Sequence, residues 1–320
     1  MTPGDRPGSE PELSVVIAAT DSPSAAARTL GSLRGPGSES GRVELIVAAP
    51  WASAAGGDAR HIQGPPGSGV PGLRGLGVRA ARGRVVAFTE DSCVAGPGWA
   101  EAWVSAFADG TLAAGTGPVE HDAAASTLDW AVVFCEYAPF LADRAAGRPD
   151  RLAGNNFAAT REAAESASIG GEVHEVALLA LVGRAGGTAR SIPGAGVRHV
   201  RRFGPREAFG DRLRFGLEFG RLRRASASRA ARWLGLVAGP AIFGAQVARV
   251  GRAALATPHR ARFVASLPIV LALLGAWSLG EWLGWAFGLG SGQCERADRP
   301  SGGDRPVLGS GRGAGLRRGP

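Results

Sequence analysis

Apolar residues come in short unbroken runs separated by stretches of helical spacing, and this alternation persists from residue 12 to about residue 200. LSVVIAAT has the length and composition of a strand buried on both faces. SPSAAARTLGSL follows, with Ala26, Leu30 and Leu33 at helical intervals. VELIVAAP predicts a second strand. A Gly/Pro-rich loop over 64–72 leads into a short helix containing Arg74, Val78 and Arg82, and Val85-Val86-Ala87-Phe88 forms a third strand. The spacing predicts a helix from Trp99 to Phe107, a strand over 112–120 and an apolar helix over 126–142. LAGNNFAATREA begins as a loop or strand and enters another helix. GGEVHEVALLALVGRAG predicts a helix whose polar front carries Glu172, His174 and Glu175, and TARSIPGAGVRHV closes the globular part as a short strand. Repeated strand–helix units of this length predict a parallel, three-layer α/β domain.

Beyond Arg198 the pattern changes. Eleven Arg fall between 198 and 232 against Glu207, Asp211 and Glu218, interleaved with Phe203, Phe209, Phe215, Leu217 and Phe219. Two apolar stretches follow, at 233–250 and 263–290. The second is long enough to span a hydrocarbon core of about 30 Å. It carries one acid, Glu281, and three Trp near one end, where headgroups would lie. Pro240 and Gln246 interrupt the first stretch, which fits an interfacial or re-entrant segment. The predicted organisation is a mobile tail (1–11), an α/β domain (12–203), a basic amphipathic helix (204–232), a membrane-associated region (233–290) and a polar tail (291–320).

All 36 basic residues are arginine and the formal net charge is +8. Arginine pairs bidentately with phosphate, so the composition suits phosphate-rich partners, as it also suits a codon bias. Nucleic-acid binding would leave the apolar tail without a purpose, and basic flanks suit anionic membrane phospholipid. Cys93, Cys135 and Cys294 have neither metal-ligand nor disulfide spacing. MTPGDRPGSEPE lacks the apolar core of a signal peptide, so the domain is expected on the cytoplasmic face of the cell membrane.

Candidate chemistry concentrates in GRVVAFTEDSCVAGPGW, where Glu90 and Asp91 end a buried strand. Acids at the carboxyl end of such a strand sit at the mouth of an α/β sheet, where these folds take ligands. They suit Mg²⁺ or Mn²⁺ held against a diphosphate, and they equally suit a solvated turn. Asn155 and Asn156 follow Gly154, either as turn residues or as donors to sugar hydroxyls. LSVVIAATDSPS lacks the Gly-rich phosphate turn of a dinucleotide-binding fold.

Taken in order, LSVVIAATDSPSAAARTLGSL, GLRGLGVRAARGRVVAFTEDSCVAGPGW, STLDWAVVFCEYAPF and LAGNNFAATREA resemble the inverting nucleotide-sugar glycosyltransferases of family 2, over residues 12–203. The tail resembles that of membrane-tethered members. The resemblance implies a GT-A-like, mostly parallel sheet with flanking helices, followed by basic amphipathic and transmembrane helices. It implies donor binding by Asp21, Arg74, Glu90 and Asp91, and a metal at Glu90 and Asp91, with His199 as a further metal or diphosphate contact. It places the catalytic carboxylate at Glu175, with Glu172 as the fallback, and Asn155, Asn156 and Trp130 on the acceptor side. A sugar hydroxyl is a poor nucleophile, so a carboxylate must receive its proton as the new bond forms.

Two departures stand out: the second strand ends VAAP where the family supplies acids, and Ser92 replaces the last acid of the metal motif. The expected function is transfer from a nucleotide-diphosphate sugar to a lipid-linked or glycan acceptor. The alternative is a non-catalytic relative that organises glycan-assembly proteins; the missing acids favour it, and the presence together of Glu90, Asp91 and Glu175 favours the transferase.

Overall fold

The structure is a computed structural model that describes residues 10–35, 41–52, 59–141, 147–228 and 239–288. The predicted tails over 1–11 and 291–320 fall almost wholly outside these residues, as does the apolar run over 233–238.

Seven strands form the main sheet in the order β11-β6-β8-β4-β1-β2-β3. Strands β1 (Leu13–Ala18), β2 (Val43–Ala49), β3 (Arg60–Gln63) and β4 (Val85–Glu90) are parallel neighbours. Strand β8 (Asn156–Thr160) runs antiparallel to both β4 and β6 (Leu112–Thr116), and β11 (Thr188–Ser191) pairs parallel with β6. Every residue of β1 is buried, because helices cover both faces of the sheet. A second sheet, β5-β12-β7, is built from Cys93–Ala95, Val197–His199 and Val119–His121. Ser168–Ile169 and Glu172–Val173 form a small hairpin, β9-β10.

Helix α1 (Pro23–Leu33) starts where Ser22 accepts the Ala25 amide and Pro23 fixes the first turn. Helix α2 (Val70–Ala80) lies close on the sheet because Gly77 has no side chain; a Cβ there would stand 2.3 Å from Val16. Helices α3 (Trp99–Ala106) and α4 (Thr127–Tyr137) follow, then α5 (Arg161–Ser166) and α6 (Glu175–Arg184). A Ser126–Asp129 capping box starts α4, and Asp129 also accepts the Phe203 amide at 2.8 Å, tying this helix to the segment after β12.

Several sequence expectations need correction. Strand β3 was not foreseen: RHIQ has no apolar run because it is an edge strand with exposed ends. The strand expected over 112–120 breaks at Gly117-Pro118 into β6 and β7. Gly117 is pressed so closely on Ala195 that a Cβ would lie 1.9 Å from its carbonyl oxygen. TARSIPGAGVRHV likewise splits into β11 and β12, in different sheets. Glu172 belongs to the hairpin, and the helix begins at Glu175. Arg82 falls beyond the end of α2 and pairs with Glu44 at 3.1 Å.

Three further helices form a layer at the carboxyl end: α7 (Pro205–Ser226), α8 (Gly239–Leu255) and α9 (Arg260–Phe287). Among the described residues α9 is the one helix long and apolar enough to cross a membrane. Helices α7 and α9 meet backbone to backbone. A Cβ on Gly216 or Gly220 would lie about 2 Å from the carbonyl oxygen of Trp277 or Glu281, and one on Gly280 or Gly284 would strike those of Leu213 or Leu217. The first half of α9 instead packs on α4, with Phe263 edge-on to Phe134 at 5.2 Å.

Candidate active site

A buried guanidinium organises the cleft at the carboxyl end of β4. Arg74, 3% exposed, donates from Nη1 to Glu175 Oε2 at 2.9 Å and from Nη2 to Glu90 Oε1 at 3.1 Å. Nη2 also donates to the Gly154 carbonyl at 2.6 Å, and the cation lies 5.2 Å from the centre of the Phe157 ring. Glu90 arrives from the end of a central strand and Glu175 from the first turn of α6, so one side chain joins two distant elements. Burial pushes the Glu90 carboxyl up to about 7, against the pull of Arg74 and with the further push of Glu136, Asp91 and Glu175.

The approach of α6 depends on a missing methyl group. Gly75, next to Arg74, faces the Gly171 carbonyl of the hairpin turn, and a Cβ would stand 1.8 Å from that oxygen. The turn itself needs Gly170 and Gly171 at φ 62° and 86°. Gly75→Ala should therefore push the hairpin, and Glu175 behind it, away from Arg74. The expected cost is about 1–3 kcal/mol, as for overpacking generally. Denaturant unfolding at unchanged m-value measures it, and full stability would show that the hairpin yields freely.

Asp91 turns away from Glu90. Its Oδ2 accepts the Asp21 and Ser22 amides at 2.8 and 3.3 Å, and the residue is 1% exposed. One oxygen of the carboxylate expected on a metal thus holds the first loop to the end of β4. Asp21 stays at the rim, paired with Arg201 Nη1 at 3.0 Å, and burial and then Asp91 push its carboxyl upward. Arg201, which also pairs with Glu207, was not foreseen; no spacing in the sequence links it to Asp21.

The remaining expected residues divide. Glu172 lies on the hairpin, exposed and paired with His174 at 3.0 Å. Asn156 is fully buried and its amide is consumed: it accepts from Trp99 Nε1 and donates to the Pro118 and Ala195 carbonyls. It holds the two sheets together and leaves no atom for a sugar. Asn155 is also fully buried, with both amide atoms lacking a protein partner. Trp130, 2% exposed, is enclosed by His121, Phe134, His259 and Arg262, so it presents no open face for stacking.

His199 stacks on Phe203 at 5.9 Å within a buried aromatic group that includes His121 and Tyr137. Among the described residues no group of three or more His, Cys, Asp or Glu could hold a metal. Burial, then the neighbouring His121 and Arg201, push the imidazole down to about 3. A histidine held below its unfolded pKa of about 6.5 resists protonation in the folded state only, so stability should fall as pH drops from 6.5 toward 3. The expected loss is about 1.4 kcal/mol per pH unit from this group. His199→Phe should lack that component, and urea titrations of the two proteins at pH 7 and 5 measure it; parallel pH profiles would count against it.

No protein-family profile matches the chain, and no curated protein matches it. Among solved structures it is similar to the mannosyltransferase PcManGT from Pyrobaculum calidifontis, in complex with GDP-Man and Mn²⁺. The identity is 14% and the TM-score 0.51, over 88% of each chain. The fold is GT-A-like. GalNAc-T7 with UDP, GalNAc and Mn²⁺ is similar at 15% identity and TM-score 0.47, covering 61% of this chain and 44% of that one. This chain thus spans less than half the length of that structure. A mycobacterial protein is similar at 20% identity and TM-score 0.42, over 63% of this chain and 72% of the other. With the fold in hand, the Glu90 strand end and the Glu175 helix start face the mouth of a GT-A-like sheet.

Proposed function

We propose that this chain is an inverting glycosyltransferase that moves a sugar from a nucleotide diphosphate to a lipid-linked or glycan acceptor at the cytoplasmic face of the cell membrane. The observation that carries the reading is the pair of carboxylates, Glu90 and Glu175, on one buried arginine. Glu90 marks the donor end and Glu175 the acceptor end. Arg74 Nη1 holds Glu175 Oε2, which leaves Oε1 to receive the acceptor hydroxyl's proton. As that proton moves, the acceptor oxygen bonds to the anomeric carbon, and the bond to the diphosphate breaks with its electron pair. Attack from the face opposite the leaving group inverts the centre. Asp21, Glu90 and Arg74 line the donor side in this reading.

The donor set fits Mg²⁺ or Mn²⁺ in a limited way. Glu90 Oε2 and the Ser92 hydroxyl, 3.5 Å apart, supply one carboxylate and one neutral oxygen. Such ions commonly take few protein ligands and fill their shell with phosphate oxygens and water. When bound with the donor, the ion offsets charge on the departing diphosphate.

The non-catalytic scaffold for glycan-assembly proteins draws support from the engaged Asp91 carboxylate and from Ser92. The two readings part when full-length protein, reconstituted in phospholipid vesicles, is incubated with a panel of nucleotide sugars, Mn²⁺ and lipid or glycan acceptors. Acceptor-dependent nucleotide release supports the transferase. No release with any donor, from protein that still melts cooperatively, supports the scaffold.

A further inference from the structure

Helix α4 ends beside the strand that carries Glu90. Tyr137, in its last turn, lies 5.7 Å ring to ring from His199, and His199 pairs in register with Cys93, just past Glu90 in the chain. The residue before Tyr137 is Glu136, and it acts on the same cleft. Burial raises the Glu90 carboxyl most; among its acidic neighbours Glu136 comes first, ahead of Asp91 and Glu175. Coulombic influence falls with distance and with intervening water, so Glu136 stands close to Glu90. Burial, then Glu136, Glu90 and Cys93, raise the Tyr137 phenol as well, which puts these groups in one neighbourhood.

The Glu136 carboxylate is held from outside the α/β domain. Arg212 of α7 donates from Nη2 to Glu136 Oε1, and its guanidinium lies 5.9 Å from the centre of the Trp277 ring on α9. The Arg212 side chain is 6% exposed and that of Glu136 27%. The cation is therefore sealed behind the carboxylate, and Glu136 Oε2 keeps no partner among the described residues. Glu175 is built the same way, with one oxygen on buried Arg74 and part of its surface open, and Glu90 shares that arginine. A ligand at this end of the cleft meets carboxylate oxygens, with the guanidinium groups behind them. Ionised carboxylates accept hydrogen bonds and donate none. The ligand must bring the donors, which hydroxyl and ammonium groups have and an ionised phosphate lacks.

We infer that Glu136 orients the acceptor: its Oε2 accepts a hydrogen bond from a second hydroxyl, or from an amine, of the acceptor sugar, and the group glycosylated is a sugar hydroxyl and not a phosphoryl oxygen. Arg212 is a positioning residue that acts through Glu136. The inference rests on the transferase reading above and narrows its acceptor. Like charge disfavours a phosphate nucleophile beside Glu136 and Glu175, whereas a neutral or amino sugar satisfies both carboxylates.

The test uses full-length protein in phosphatidylcholine vesicles, the nucleotide sugar that gives the fastest nucleotide release, and two kinds of acceptor with the same alkyl chain. These are alkyl glycosides of neutral and amino sugars, and the alkyl phosphate. The glycosides should stimulate release and the phosphate should not. In Glu136→Gln the amide oxygen still accepts from Arg212, which leaves an NH₂ donor where Oε2 stood. The KM for the glycoside should rise about 10- to 100-fold, the worth of a hydrogen bond to a charged group, while kcat falls less than about threefold. Arg212→Lys should raise the same KM, and should change it little further when added to Glu136→Gln. Release stimulated by the phosphate in preference, release that no glycoside stimulates, or a glycoside KM within about twofold of the parent in Glu136→Gln overturns the inference and leaves the transferase standing. Absence of release by the parent protein with every donor and both acceptors removes the transferase reading and the inference with it. Should Glu136→Gln fail to melt cooperatively, Glu136→Asp, its carboxylate drawn back by one methylene, supplies the same comparison.

Discussion

Glu175→Gln is expected to slow transfer by about two to four orders of magnitude, the usual worth of a positioned general base. The amide oxygen of Gln can still accept from Arg74 Nη1, and Glu90 remains on Nη2, so the cleft keeps its shape. What disappears is the group that takes the acceptor's proton. The loss should therefore appear in kcat at saturating donor, while nucleotide affinity stays within about twofold of the parent. Glu172→Gln is the matched control. Glu172 is exposed and pairs with His174, so its replacement should leave kcat nearly unchanged. Steady-state kinetics with a responsive donor and isothermal titration with the nucleotide measure both quantities. Loss of less than tenfold for Glu175, or equal loss for the two variants, would take the base away from Glu175.

The difference between these glutamates was only partly legible in the sequence. Both stand in one short segment, and the ordered motifs favoured Glu175, but the hairpin that separates them rests on Gly170 and Gly171. The acidic pair at 90–91 teaches a related lesson. Successive residues at a strand end point to opposite sides, so two adjacent acids do not share a ligand by default. Glu90 turns to Arg74, and Asp91 turns to the amides of Asp21 and Ser22. Buried strands such as VVAF announced themselves through apolar runs. Strand β3 did not, because an edge strand carries polar residues.

Close backbone approach was the least visible feature. Gly75, Gly117 and the four glycines between α7 and α9 decide which elements touch, yet glycine in a sequence reads equally as a turn. Hydropathy over 263–290 likewise records how apolar the segment is and nothing of what covers it; only the packing shows its first half on α4 and its second half on α7. The motif order marked Arg74 as a candidate donor-side residue. That it would be buried between two carboxylates followed only from the packing that brings α6 to β4.

Arg74→Gln should be the most damaging single change to stability in the cleft. It leaves Glu90 and Glu175 facing each other without the cation, and breaking a buried pair on one side typically costs about 3–5 kcal/mol. The lower end applies, because the Glu90 and Glu175 side chains are 18% and 28% exposed. The effect should depend on pH in a defined direction. Glu90 titrates near 7 in the folded protein, above its unfolded value of 4.5, so folding already loses stability as pH rises through that window. Arg74 is the influence that lowers the folded value. Removing it extends the window upward, and the gap between variant and parent should be wider at pH 8 than at pH 5. Adding Glu90→Gln to the variant should narrow the gap again, since the uncompensated acid is gone, and Arg74→Lys should fall between because one ammonium cannot reach both acids as a planar fork does. Urea midpoints at pH 5 and 8, in EDTA, test all three. A gap below about 1 kcal/mol, or one that shrinks at pH 8, would mean that the two carboxylates do not depend on this arginine.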